Sequence, residues 1–170
     1  MMTKYARSCL VRFAFLLALL WPAFVQSATL PSGFVETSVG GVWANVVGLT
    51  FDANGRMYVW EKGGCVWIVT NGVRQAQPLI NLSSEVGTWD DHGLLGFALD
   101  PDFLDNGYIY LLCVVDHNYL VNFGTSNYDS SMVEYYRATI GRITRYTAQA
   151  TNGFRSVDLN SRKVLLGKRH

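Results

Sequence analysis

An all-β fold built of four-stranded antiparallel units, the first two blades of a β-propeller, is predicted by three observations. Gly48-Leu-Thr-Phe-Asp52 returns as Gly96-Phe-Ala-Leu-Asp100, an offset of 48 residues. Both copies run on through an Asn-Gly pair, Asn54-Gly55 and Asn106-Gly107, into a similar apolar strand. Between them lie short apolar runs bounded by turn dipeptides, with no sustained helical period after the opening segment.

Residues 1–28 have the layout of a secretory signal peptide. Lys4, Arg7 and Arg12 precede the apolar run Phe13–Val25, and Val25-Gln26-Ser27-Ala28 offers small residues for cleavage. That run is shorter than the ~20 residues a membrane span needs. Export to the periplasm or the exterior is expected, with no stable membrane insertion after cleavage. The remaining chain, 29–170, reads as one partial domain. Removing three signal cations from 14 Lys and Arg leaves 11 against 13 Asp and Glu, a balance that invites no nucleic acid.

Early in that domain, Phe34–Val39 reads as a strand of the kind that completes the last blade of a propeller ring. The first full unit follows with strands at Val46–Phe51, Met57–Glu61, Cys65–Thr70 and Leu79–Leu82. Asn54-Gly55, Gly63-Gly64 and Asn71-Gly72 separate them, pairs that favour positive φ and tight reversal. The second unit has strands at Leu94–Leu99, Tyr108–Val115, Thr139–Thr147 and Lys163–Leu166.

Cys65-Val-Trp-Ile-Val69 and Tyr108–Val115 are apolar at every position, which predicts cover on both faces, as in stacked blades. A two-sheet sandwich is the alternative, and the repeat argues against it. Two units are too few to close a ring, which takes ~4 to 8 blades. They would leave broad apolar faces in water, so the chain reads as an N-terminal fragment of a longer protein. Cys65 and Cys113 sit in apolar runs, either as buried thiols or as a disulfide.

Leu30-Pro-Ser-Gly-Phe34, Phe51-Asp-Ala-Asn-Gly-Arg-Met-Tyr58, and Gly93-Leu-Leu-Gly-Phe-Ala-Leu-Asp-Pro-Asp-Phe103 followed by Asn106-Gly-Tyr-Ile-Tyr110 together resemble the glucose/sorbosone dehydrogenase family. The resemblance implies a six-bladed propeller that oxidises the C1 hydroxyl of an aldose with pyrroloquinoline quinone (PQQ) and calcium. In this family the histidine that serves as general base follows the second blade, and the quinone contacts and calcium ligands come later. No catalytic residue is therefore assigned within this chain. His170 lacks the flanking pattern of that base. Neither quinone nor calcium is expected on the fragment itself, which should be inactive.

One position carries over. Relatives commonly place a glutamine amide against the substrate immediately before the Gly-Leu-Leu-Gly element, where this sequence has Asp91-His92. A carboxylate cannot donate as an amide does, so sugar specificity, and the activity itself, are open at this point. Asp90-Asp91-His92 also has ligand types for a metal ion, but adjacent side chains seldom converge on one ion. The insertion His117–Arg137 is long and rich in Asn, Ser and Tyr; Tyr119, Asn122 and Tyr128 are its candidate sugar contacts. An ordinary insertion is the competing reading. The acidic stretch Asp100–Gly107 lacks calcium-loop spacing and reads as a turn device shared with Asp52–Gly55.

Strand parity then separates two ends. The crossover with Asp91 and His92, the Gly63-Gly64 turn and His117–Arg137 fall at one end, and the Asp100 turn falls at the other. Asn81-Leu-Ser83 is a glycosylation sequon, relevant only in a glycosylating host. A non-catalytic propeller acting as a binding module and a lactonase-type propeller hydrolase are the rival functions.

Overall fold

A computed structural model of the chain describes residues 30–132 and 134–168. The signal segment and His170 lie outside the described residues. The chain divides into two compact units at Thr37/Ser38. Of the first, residues 30–37 are irregular apart from a turn at Ser32-Gly33, over which the Phe34 amide donates to the Pro31 carbonyl at 3.2 Å.

The second unit holds two antiparallel sheets. The first is β1 (Val46–Phe51), β2 (Met57–Glu61), β3 (Cys65–Thr70), β4 (Val73–Arg74) and β5 (Ile80–Asn81), in the order β1-β2-β3-β4 with β5 also on β3. The second is β6 (Leu94–Leu99), β7 (Tyr108–Val114), β8 (Gly141–Ala148) and β9 (Val157–Leu166), in sequence order. Each sheet pairs only its own strands, as successive blades do. Short helices interrupt the loops: α1 (Phe103–Asn106), α2 (His117–Asn122) and a 3-10 turn at Ala150–Asn152.

The repeat extends to backbone irregularities. A bulge between Val46 and Gly48 recurs between Leu94 and Gly96. At Gly48 a Cβ would stand 2.3 Å from the Trp60 ring, so the missing side chain is what lets the indole lie across the bulge. The turn aspartates repeat as well. Asp52 Oδ1 accepts from the amides of Asn54 and Arg56, both at 2.9 Å, and Asp100 Oδ1 accepts from the Asp102 amide at 3.1 Å and Asn106 Nδ2 at 2.8 Å. The reading of both stretches as turn devices holds.

Packing of one sheet on the other makes the core. Tyr58, Val66 and Ile68 of the first sheet meet Leu94, Phe97, Ile109, Leu111 and Tyr146 of the second. Phe97 lies 5.9 Å from Tyr58 and 5.8 Å from Trp60 between ring centres. On the far side of the first sheet, Arg74 stacks between Trp43 and Trp67, 4.8 and 4.7 Å from the ring centres.

Four expectations need correction. Phe34–Val39 forms no strand, because a strand exists through its ladder and no described strand pairs with this segment. The fourth strand of the first unit is broken into β4 and β5: Asn71-Gly72, both at positive φ, reverse the chain at once, and Pro78 brings no N–H to the ladder before β5 resumes. The continuous apolar run of β7 is not covered evenly. Ile109, Leu111 and Cys113 are buried, while Tyr108, Tyr110 and Val114 are half-buried and Leu112 is exposed. Finally, β9 starts six residues earlier than the expected strand at Lys163–Leu166, because Asp158 and Val157 pair with Thr147 and Ala148 and extend the ladder along β8. Cys65 and Cys113 are free thiols, and burial pushes both up, Cys113 from 9.0 to about 12.

Candidate functional site

Three segments converge at the end of the sheets where strand parity places them. The crossover from the first sheet to the second runs beside the tip of β7: Val86 bridges Val115, and the Gly87 amide donates to the Val114 carbonyl at 3.0 Å. The β2–β3 turn joins it through Lys62, whose Nζ donates to the Asp90 carbonyl and whose own carbonyl accepts from the Leu94 amide. The insertion joins it through Tyr136, whose ring lies 4.9 Å from Trp89. The Asp100 turn lies at the other end, with the Asp52 turn, around a cavity of about 500 Å³.

At the convergence, Trp89 to His92 form a tight turn closed by the His92 amide donating to the Trp89 carbonyl at 2.9 Å. Asp90 takes a positive φ of 47° within it. This turn sets the His92 ring against Trp89, tilted at 46° with 3.9 Å between centres, and leaves Asp91 exposed with no ion pair or hydrogen bond among the described residues. A carboxylate so placed can accept from ligand hydroxyls. His92 Nδ1 is buried and has no protein partner, and so is Asp116 Oδ2. Both residues border Gly87: a Cβ there would stand 3.4 Å from His92 Nδ1 and 3.5 Å from Asp116 Cα.

The three candidates from the insertion fall elsewhere. Asp116 caps α2 by accepting from the Tyr119 amide at 3.2 Å. On this helix Tyr119 stacks on Phe123 at 4.3 Å and meets Tyr128 edge-on at 5.9 Å, while Tyr128 donates to the Ser84 carbonyl at 3.3 Å. Burial raises the pKa of both phenols. Asn122 donates to Asn118 Oδ1 at 2.9 Å, and Asn118, nearly fully buried, donates to the Asp129 carbonyl. These contacts hold the insertion together. His117 Nδ1 pairs with Glu134, closing it near its far end.

Lys62, Trp89 and Asp116 escaped the sequence reading, and Tyr136 entered it only as one of the tyrosines of the His117–Arg137 insertion. Trp89 carried a signal, being three residues before His92 in the same turn, but nothing local pairs it with Tyr136, 47 residues away.

The model of the glucose/sorbosone dehydrogenase family matches residues 43–150, most of the chain. The chain belongs to the glucose/sorbosone dehydrogenase family. Its fold is similar to that of an oxidoreductase (glucose dehydrogenase) from Thermus thermophilus, at 23% identity and a TM-score of 0.52 over 79% of this chain. It is also similar to the PQQ-bound form of aldose sugar dehydrogenase from Streptomyces coelicolor, at 16% identity and a TM-score of 0.53 over 77% of this chain. In each case the chain spans 32% of the solved protein. No curated protein matches it.

One of these similar proteins is the PQQ-bound form. Among the described residues of this chain, no three His, Cys, Asp or Glu side chains gather to hold a metal ion. Of the described cations, Lys62 is tied to the Asp90 carbonyl. The cavity that carries two arginines, about 210 Å³, is below the ~300 Å³ at which sites for larger ligands begin. No described helix is long and apolar enough to cross a membrane.

Proposed function

We propose that this chain supplies the first two blades and part of the sugar-facing end of a secreted or periplasmic quinone-dependent aldose dehydrogenase, which in its full-length form oxidises a sugar C1 hydroxyl. The observation that carries this reading is the convergence of the Asp91-His92 crossover, the Lys62 turn and Tyr136 at one end of the sheets. Family membership supports the chemistry. Quinone and calcium belong to the full-length protein and are held outside this chain.

Within that reading the chain binds and orients. Asp91 accepts from sugar hydroxyls, and the Trp89 and Tyr136 rings offer faces to the C–H side of a pyranose. His92, held against the Trp89 ring, hydrogen-bonds the same ligand through its imidazole. Replacing the usual amide by a carboxylate removes a donor and adds charge, which favours ligands rich in hydroxyl donors. That same substitution is the observation favouring the rival, a propeller that binds without oxidising.

Dye-linked oxidation of a panel of aldoses by the full-length protein, with quinone and calcium supplied, tests the reading. Turnover with KM raised several-fold by Asp91→Ala or His92→Ala supports it. Sugar binding without turnover establishes the binding module. No binding and no turnover would sink the reading, as would turnover by residues 29–170 alone, since the base and cofactor contacts are placed outside them.

A further inference from the structure

A second polar cluster lies apart from the Asp91-His92 turn. Glu85 Oε1 accepts from Arg142 Nη1 at 2.8 Å and from Arg162 Nη2 at 2.7 Å. The Glu85 and Arg142 side chains are 4% and 7% exposed, and Arg162 is 32% exposed. Further contacts fix both guanidinium planes: Arg142 Nε donates to the Gly167 carbonyl and Arg162 Nε to the Tyr146 hydroxyl, both at 3.1 Å.

Two cations thus share one carboxylate oxygen, and no other described carboxylate pairs with either. Glu85 matches the charge of the buried Arg142, which leaves Arg162, 32% exposed, sharing that carboxylate with no other of its own. Each guanidinium has five N–H donors, and the contacts above use two of them. Both arginines border a cavity of about 210 Å³, walled on its other side by Tyr119, Leu120 and Phe123.

We propose that this cavity binds a small oxyanion, a carboxylate or a phosphate. Planar guanidinium forks suit such groups, and the arginines are already positioned by Glu85, Gly167 and Tyr146. The stacked Tyr119–Phe123 pair gives an apolar wall to the body that carries the anion. The volume suits an anion of the size of a sugar acid or smaller.

The test titrates the full chain with sodium gluconate and, separately, with inorganic phosphate, holding ionic strength constant with chloride and following the arginine Nε–H signals by NMR. Saturable shifts at Arg142 and Arg162 are expected. Saturation by gluconate alone assigns the site to carboxylates, and by phosphate alone to phosphates. Arg162→Met, at the more exposed arginine, should weaken binding at least ten-fold in a chain whose amide spectrum is otherwise unchanged. Glu85→Gln removes the competing carboxylate and should tighten binding several-fold, with a melting temperature that rises more steeply with anion concentration. A purely structural ion cluster predicts neither effect. Shifts that fail to saturate with either anion, or an affinity untouched by Arg162→Met, would overturn the proposal; should Glu85→Gln not fold, Arg162→Met decides it.

Discussion

The Tyr58 hydroxyl donates to Asp52 Oδ2 at 3.0 Å, and in the next sheet the Tyr110 hydroxyl donates to Asp100 Oδ2 at 2.6 Å. In both units the aspartate that follows the first strand reaches across the turn to a tyrosine of the second strand and also gathers turn donors. A device repeated in successive blades does a structural job common to both.

Asp52→Ala should therefore destabilise the chain by about 1–3 kcal/mol, since it orphans a buried phenol and two turn amides. Asp102→Ala, at an exposed position whose side chain makes no hydrogen bond among the described residues, should stay within about 0.5 kcal/mol. Urea denaturation measures both, and equal effects would refute the turn-device account.

Function should follow the other end. In the full-length protein, Asp91→Ala should change the dependence of rate on sugar concentration, with Asp102→Ala leaving it unaltered. Steady-state kinetics with the opposite pattern would reverse the assignment of faces.

Gly48→Ala places a methyl 2.3 Å from the Trp60 ring inside the bulge. Overpacking of this kind costs about 1–3 kcal/mol, so the urea midpoint should fall while Trp60 fluorescence shifts. Gly48→Ala,Trp60→Leu should recover part of the loss; no recovery would show that the glycine serves the backbone alone.

Alkaline pH should destabilise the fold. Burial raises Cys113 from 9.0 to about 12 and Tyr146 from 10.0 to about 12, and it raises Tyr58 as well. The folded state thus keeps protons that the unfolded chain releases, so these groups contribute fully below pH 9 and lose their contribution as pH climbs towards 12. Urea midpoints should be steady from about pH 7 to 8.5 and then fall, less steeply in Cys113→Ala. A flat profile to pH 11 would contradict the burial of these groups.

Local pattern was enough for the blades. Strands β1, β2, β3 and β6 have the bounds their apolar runs and flanking turns predict, because a short apolar run between positive-φ turns has few other ways to satisfy its backbone. Strand parity likewise sent Asp91, His92 and the insertion to one end, since each reversal of an antiparallel sheet changes ends. Contacts between distant residues were decided only by the tertiary fold. Glu85 meets Arg142 and Arg162 across 57 and 77 residues, and Trp89 meets Tyr136 across 47. Tyr119 turned towards the arginine cavity and away from the Asp91-His92 turn because Asp116 caps a helix that sequence periodicity was too short to reveal. Periodicity and turn chemistry act over a few residues; which side chains share a cavity depends on how finished sheets stack and where long loops fold back, and no local pattern encodes that.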